Sequence, residues 1–168
     1  VYHDIGRIKK KFRNKKKPIV IIAGCVAQAE GDILLKKEKY IDALIGPQSY
    51  HKFNEILLGI EKNIEKINFT EFEVIEKFDT LNDLKTLDSK VSSFLTIQEG
   101  CDKFCSFCVV PYTRGAEFSR STEEIIKECN ELVSNGAREI TLLGQNVNAY
   151  SHQNEKLSDL IKKISNIK

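Results

Sequence analysis

Cys101, Cys105 and Cys108 fall within eight residues, in the run Gly100-Cys101-Asp102-Lys103-Phe104-Cys105-Ser106-Phe107-Cys108. Three thiolates at this Cys-x3-Cys-x2-Cys spacing can hold three corners of a cubane iron-sulfur cluster and leave the fourth iron open, with the protein acting through its ligands, its hydrogen bonds and burial. Structural zinc is normally closed by four protein ligands built from paired Cys or His steps, and no partner pair stands near this run. Three unrelated thiols in a reduced loop are the plain alternative, but a chain with five cysteines would seldom place three so close by chance. An open-site cluster is the leading reading.

The spacing, with Phe107 just before the last thiolate, resembles the radical S-adenosylmethionine (radical SAM) enzymes. The flanks narrow the resemblance. Val109-Val110-Pro111-Tyr112-Thr113-Arg114-Gly115, Glu117-Phe118-Ser119-Arg120 and Leu143-Gly144-Gln145-Asn146-Val147-Asn148-Ala149-Tyr150 are similar to the methylthiotransferase family. Upstream, Gly24-Cys25-Val26-Ala27-Gln28-Ala29-Glu30-Gly31 and Ile45-Gly46-Pro47-Gln48 match the amino-terminal domain of that family in the same order. Within the family the chain looks most like the MiaB type, which acts on isopentenylated adenosine beside the tRNA anticodon. The branches acting on threonylcarbamoyl-adenosine or on a ribosomal protein are the alternatives.

The resemblance implies two 4Fe-4S clusters and S-adenosylmethionine. One cluster sits on Cys101, Cys105 and Cys108 and reductively cleaves S-adenosylmethionine; the other, serving sulfur transfer, includes Cys25 and two cysteines outside this chain. Cys25 read from its own surroundings is either a small buried thiol at a strand-helix turn or a ligand, and the flanking motif favours the ligand. Phe107 is expected beside the cofactor's adenine, with plugging the top of a barrel as its other role. Gly144 and Gln145 occupy the place where related enzymes carry a Gly-Gly-Glu segment that receives the cofactor's amino group. With an amide in place of the acid, an ionic contact gives way to a hydrogen bond. Arg114 and Arg120 suit a carboxylate or a tRNA phosphate through the planar guanidinium, and a surface ion pair is the alternative. No residue is singled out as a catalytic acid, base or nucleophile, and His3, His51 and His152 have no metal-ligand spacing. The implied partners are tRNA and an electron donor such as flavodoxin or ferredoxin, with the enzyme monomeric when full length.

These residues need elements to position them. Pro18 to Gly24 is an apolar run ending in glycine, the pattern of a strand buried on both faces, with Cys25 just past its carboxyl end, where ligands gather on open parallel sheets. Ile33 to Leu35 suit a following helix, Ile41 to Ile45 a second strand, and Tyr50, Phe53, Ile56, Leu57 and Ile60 a second helix. Residues 61–90 are charged and weakly periodic, with a possible strand near Phe72 to Ile75. Val91 to Ile97 reads as a strand delivering the cysteine loop. Ser121-Thr122-Glu123-Glu124 is a capping box ahead of an apolar face of Ile125, Ile126, Cys129, Leu132 and Val133, closed by Gly136. Cys129 is accordingly core. Glu139 to Leu143 is the next strand, and Leu157, Leu160, Ile161 and Ile164 begin the next helix. The fold class expected is α/β: residues 1–62 as the end of a methylthiotransferase amino-terminal domain, 63–90 as a connection, and 91–168 as the first two β/α units of a radical SAM barrel, with catalytic groups at the carboxyl ends of its strands.

The chain has no methionine, and its last residues stop inside an apolar helical pattern. It reads as an internal fragment, expected to be inactive alone. Charge is nearly balanced, 26 Lys plus Arg against 24 Asp plus Glu, but Lys9 to Lys17 form a dense basic run. Such a run can neutralise phosphates and is more often a solvated helix end or loop. A zinc-containing nucleic-acid-binding module is the competing reading of a different class. No window approaches the roughly 20 apolar residues of a membrane span, and clustered cysteines point to a reducing cytoplasm.

Overall fold

The computed structural model of the protein describes residues 1–62, 64, 66–71 and 91–167. The chain divides into two compact units, Val1–Glu73 and Val74–Lys168. Among the described residues, no helix is long and apolar enough to cross a membrane.

In the first unit, strands β1 (Ile21–Ala23), β2 (Ala43–Ile45) and β3 (Ile67–Phe69) form a parallel sheet in the order β1-β2-β3. The central strand decides the layering, because successive side chains of a strand point to opposite faces. Leu44 joins Ile5, Ala27, Leu34, Leu35 and Ile41 in one core, under helices α1 (Tyr2–Lys11) and α2 (Cys25–Lys37). Ala43 and Ile45 face the other way, against Ile56 of α3 (Phe53–Glu61). Helices thus cover both faces of β2. The run from Pro18 is less buried than expected, with Ile19 exposed and β1 at the sheet edge. The stretch after Ile45 also differs from a single helix. Pro47 opens a 3-10 turn, Pro47–Lys52, whose three-residue period shifts the register, so Tyr50, Phe53 and Leu57 are exposed while Ile56 and Gly59 are buried.

Two elements here were not foreseen. Strand β3 lies in the charged stretch that was read as connection, while the possible strand near Phe72 to Ile75 lies outside the described residues. Helix α1 ends in Lys9, Lys10 and Lys11, where cations complement the carboxyl end of the helix dipole. Lys9 pairs with Glu38 at 2.7 Å and Lys17 with Asp42 at 2.5 Å. Part of the basic run is a helix end with intramolecular partners.

In the second unit, β4 (Ser92–Thr96) and β7 (Glu139–Leu143) pair in parallel, with Leu95 opposite Leu142. Between them come the short strands β5 (Gln98–Glu99) and β6 (Phe118–Ser119), which pair antiparallel, and the helices α4 (Val110–Arg114) and α5 (Thr122–Ser134). A hairpin of β8 (Ser151–His152) and β9 (Glu155–Lys156) leads into α6 (Leu157–Ser165). Ser121 Oγ accepts the Glu124 N–H at 3.2 Å, the Ser121 half of the expected capping box. Leu95 and Ile97 pack with Ile125, Cys129, Leu132 and Leu160. Full burial of each large aliphatic chain contributes about 1.5–3 kcal/mol. The other face of the strand pair is open: Phe94 is 70% exposed.

Candidate metal centre

The cysteine loop starts where this core ends. Ile97 N–H continues the ladder to Leu143 O at 2.9 Å, and the chain then turns away to pair with β6. Gly100 sits at φ +75°, and a Cβ there would stand 1.9 Å from Ala116 O, so the two ends of the loop can pass only at a glycine. Cys101 N–H donates to Gly115 O at 3.2 Å, and Glu117 N–H donates to Asp102 Oδ1 at 3.2 Å. Residues 100–117 are thereby closed into a loop clasped at its neck. Inside it, Cys108 N–H donates to Cys105 O at 2.9 Å just before α4, which carries Pro111 in its first turn.

All three loop thiols are free; Cys101 and Cys108 are half-buried and Cys105 is exposed. Among the described residues, no three His, Cys, Asp or Glu side chains converge closely enough to hold one metal ion. In a cubane each thiolate binds a different iron, so its sulfurs stand farther apart than the ligands of a single ion. Three reduced thiols on one clasped loop therefore suit a cluster in kind, whereas a closed zinc site would need a fourth ligand beside them.

The Gly144-Gln145-Asn146 turn leaves β7 at the same edge of the parallel pair. Gln145 Oε1 accepts the Gly100 N–H at 2.8 Å, and Asn146 Nδ2 donates to Glu117 Oε1 at 3.0 Å. Gln145 and Asn146 thus tie the turn to both ends of the loop, a role for Gln145 that the sequence reading did not include. Phe107 is 91% exposed, and its ring faces are open. Phe104 meets Tyr112 edge-on at 6.2 Å.

Arg114 and Arg120, expected to bind substrate, both have intramolecular partners. Arg114 Nη1 pairs with Glu99 at 2.9 Å, and Glu99 is 3% exposed. A buried carboxylate is tolerable only when so paired. Arg120 is itself 3% exposed; its Nη1 lies 2.7 Å from Glu128 and donates to Thr96 O at 2.8 Å. Both guanidinium groups make ion pairs within the fold, and that of Arg120 is buried rather than on the surface. Its backbone carbonyl accepts the Tyr150 hydroxyl at 3.0 Å, and burial pushes that hydroxyl's pKa up.

Cys25 lies in the first unit. It begins α2 directly after β1, half-buried, at the carboxyl end of the parallel sheet as expected. Gly24 before it has φ +100°, and its N–H donates to Ile45 O at 2.9 Å. Gln28, one turn on, donates to Thr70 O at 2.6 Å, and a Cβ on Gly46 would meet Gln28 Oε1 at 1.9 Å. The two upstream motifs therefore fit each other. Cys129 is 1% exposed and its thiol pKa is raised by burial, which makes it core.

Two residues of the site went unread in the sequence, Gln98 and Glu99, both buried directly before Gly100. The available signal was a polar pair prolonging an apolar strand, where only groups with fixed partners can be buried.

Residues 95–168 match the Radical SAM superfamily. Along 98% of its length the chain is 64% identical to the tRNA-2-methylthio-N(6)-dimethylallyladenosine synthase of Pelagibacter ubique, covering 38% of that protein. It is 50% identical to the synthase of the same name from Wolbachia pipientis, over 99% of the chain and 38% of the relative. With that of Rickettsia akari it is 45% identical, over 99% of the chain and 39% of the relative. The chain thus spans about two fifths of the length of these curated relatives.

Proposed function

We propose that this chain, similar to radical SAM proteins and to tRNA methylthiotransferases, belongs to such an enzyme and serves to add a methylthio group to C2 of N6-isopentenyladenosine next to the anticodon. The observation that carries the reading is the meeting of the clasped cysteine loop and the Gly144-Gln145-Asn146 turn at one edge of the β4/β7 pair, through the Gly100 to Gln145 hydrogen bond. The names of the relatives supply the substrate.

In this proposal Cys101, Cys105 and Cys108 hold a 4Fe-4S cluster, and Cys25 is a ligand of a second one. The first cluster, when bound, supplies the electron for reductive cleavage of S-adenosylmethionine, and the protein contributes orientation and exclusion of water. Gly100, clasped between Ala116 and Gln145, fixes where Cys101 leaves the sheet. Phe107, with its exposed ring, would stack on the cofactor's adenine, and Gly144 with Gln145 would receive its amino group. Arg114 and Glu99 stiffen the end of α4 against β5. The four elements β4, α5, β7 and α6 are the first two β/α units of a barrel, whose interior face would carry Phe94 and Leu143. The partners are tRNA and an electron donor of the flavodoxin or ferredoxin kind, in the cytoplasm, with a monomeric enzyme.

The test is anaerobic reconstitution of the full-length protein with iron, sulfide and S-adenosylmethionine, followed by reaction with isopentenylated tRNA and mass spectrometry of the nucleosides. Methylthiolated isopentenyladenosine is the expected product. Zinc in place of iron and sulfide, with no such product, would overturn the proposal in favour of a nucleic-acid-binding module.

A further inference from the structure

Gln98 is fully buried where the chain leaves β4 for the cysteine loop, a position where an uncompensated carboxamide is costly. Its polar atoms are taken up on both sides. Nε2 donates to Glu99 O at 3.0 Å and to Gly100 O at 2.7 Å, while Oε1 accepts the Asn146 N–H at 3.0 Å. The amide has two donors and two acceptor positions, and three of the four are used. The turn after β7 is pressed against it: a Cβ on Gly144 would stand 2.7 Å from Gln98 Oε1 and 3.1 Å from both its Cβ and its carbonyl oxygen.

The consequence falls on one peptide unit, Gly100–Cys101. Its carbonyl is held by Gln98 Nε2 at 2.7 Å and its N–H by Gly115 O at 3.2 Å, so both polar ends of the plane carrying Cys101 are fixed. The preceding N–H, of Gly100, is held by Gln145. Gln98 touches both the loop and the turn through one planar carboxamide.

We propose that Gln98 is a positioning residue for the cluster: its carboxamide sets the placement of the Cys101 thiolate relative to the Gly144-Gln145-Asn146 turn. This rests on the reading of Cys101, Cys105 and Cys108 as cluster ligands. The carboxamide must present its donor to the loop and its acceptor to the turn at once. Gln98→Glu keeps the shape and replaces the donor with an oxygen facing the carbonyls of Glu99 and Gly100, which must then move apart. Gly144→Ala leaves Gln98 in place and displaces the end of its side chain from the other strand.

The experiment uses the full-length protein carrying Cys25→Ala, so that bound iron reports on the loop cysteines. Parent, Gln98→Glu and Gly144→Ala are reconstituted anaerobically with iron and sulfide, then measured by chelator competition and by paramagnetic resonance of the reduced cluster with and without S-adenosylmethionine. Residues that orient metal ligands typically change metal affinity about 10- to 100-fold when substituted. Both variants should keep the far-ultraviolet circular dichroism of the parent, release iron faster by that factor and lose the spectral response to S-adenosylmethionine. The double variant should be no worse than the more damaged single one, since both act on the same contact. Iron retention and spectral response equal to the parent in both variants would overturn the inference and leave the cluster reading standing. A parent that takes up no iron and sulfide would overturn both. Should Gln98→Glu not fold, Gly144→Ala decides the matter.

Discussion

Gly100→Ala is the sharpest perturbation available at the neck of the cysteine loop. The residue sits at φ +75°, where an L side chain costs about 1–2 kcal/mol. Its new Cβ would also lie 1.9 Å from Ala116 O and 2.5 Å from Ala116 C, both backbone atoms that cannot rotate aside. Overpacking of that kind costs about 1–3 kcal/mol. The sum, roughly 2–5 kcal/mol, is a large part of the roughly 5–15 kcal/mol that holds a domain folded, but it bears on the clasp rather than on the Leu95 core. Local opening should therefore take up most of it. The assay is native-state hydrogen exchange of the Cys101 and Arg120 amides, whose partners Gly115 O and Ile97 O flank the clasp. Even 2 kcal/mol shortens their protection about 30-fold, at roughly 1.4 kcal/mol per factor of ten. Gly31→Ala is the control: it has φ +45° with nothing within 4 Å of the added carbon, so it bears the conformational cost alone and leaves these amides unchanged. Exchange of the Cys101 amide within about threefold of wild type would refute the close-approach argument.

Further expectations concern the thiols and the charged pairs. Alkylation of the apo protein at neutral pH should label Cys105 first and Cys129 last, since one is exposed and the other is a buried thiol with a raised pKa; mass-spectrometric mapping that finds Cys129 among the fast sites would contradict the core assignment. Cys25→Ala in the full-length enzyme should abolish methylthiolated nucleoside while 5′-deoxyadenosine still forms, and a normal yield of the modified nucleoside would make Cys25 a structural thiol. The Lys163 hydrogen bond holds the Glu155 carboxyl below its usual range, and the same bond raises Lys163. A depressed carboxyl contributes stability that is present above its unfolded pKa and lost as pH falls through the folded value; the raised amine contributes below its unfolded pKa and loses it as pH rises through the folded one. Thermal melting should thus fall off more steeply below the carboxylate range for wild type than for Glu155→Gln, and parallel curves would remove the pair from the stability account.

What could be read in the sequence depended on length and period. Glu139 to Leu143 is the observed β7 to the residue, and Ser121 caps α5 as its Ser-x-x-Glu spacing requires. Helix α1 was hidden because Ile5 and Ile8 are its packed apolar positions among lysines and other polar residues, a stripe too thin to show a period. Strand β3 has three residues, and β5, β6, β8 and β9 have two each, below the length at which alternation can be recognised. The β8/β9 turn runs through Gln153 and Asn154, both at positive φ, where the usual signal would be Asn-Gly. At the site, spacing marks the three loop cysteines, and the resemblance to a known family marks Gly144 and Gln145. The side chains that fix those residues were not. Gln98, Glu99 and Arg120 are polar groups made buriable by partners well removed along the chain, Asn146, Arg114 and Thr96 among them, and such pairings exist only once the chain has folded.

The central claim is that the clasped loop presents three cluster ligands for reductive cleavage of S-adenosylmethionine. It is tested most directly by counting 5′-deoxyadenosine in full-length, anaerobically reconstituted Cys101→Ala, Cys105→Ala and Cys108→Ala, beside Cys129→Ala as the buried thiol outside the loop. The account predicts no product above background in the three loop variants and wild-type amounts in Cys129→Ala. Undiminished 5′-deoxyadenosine from any one of the three would contradict it.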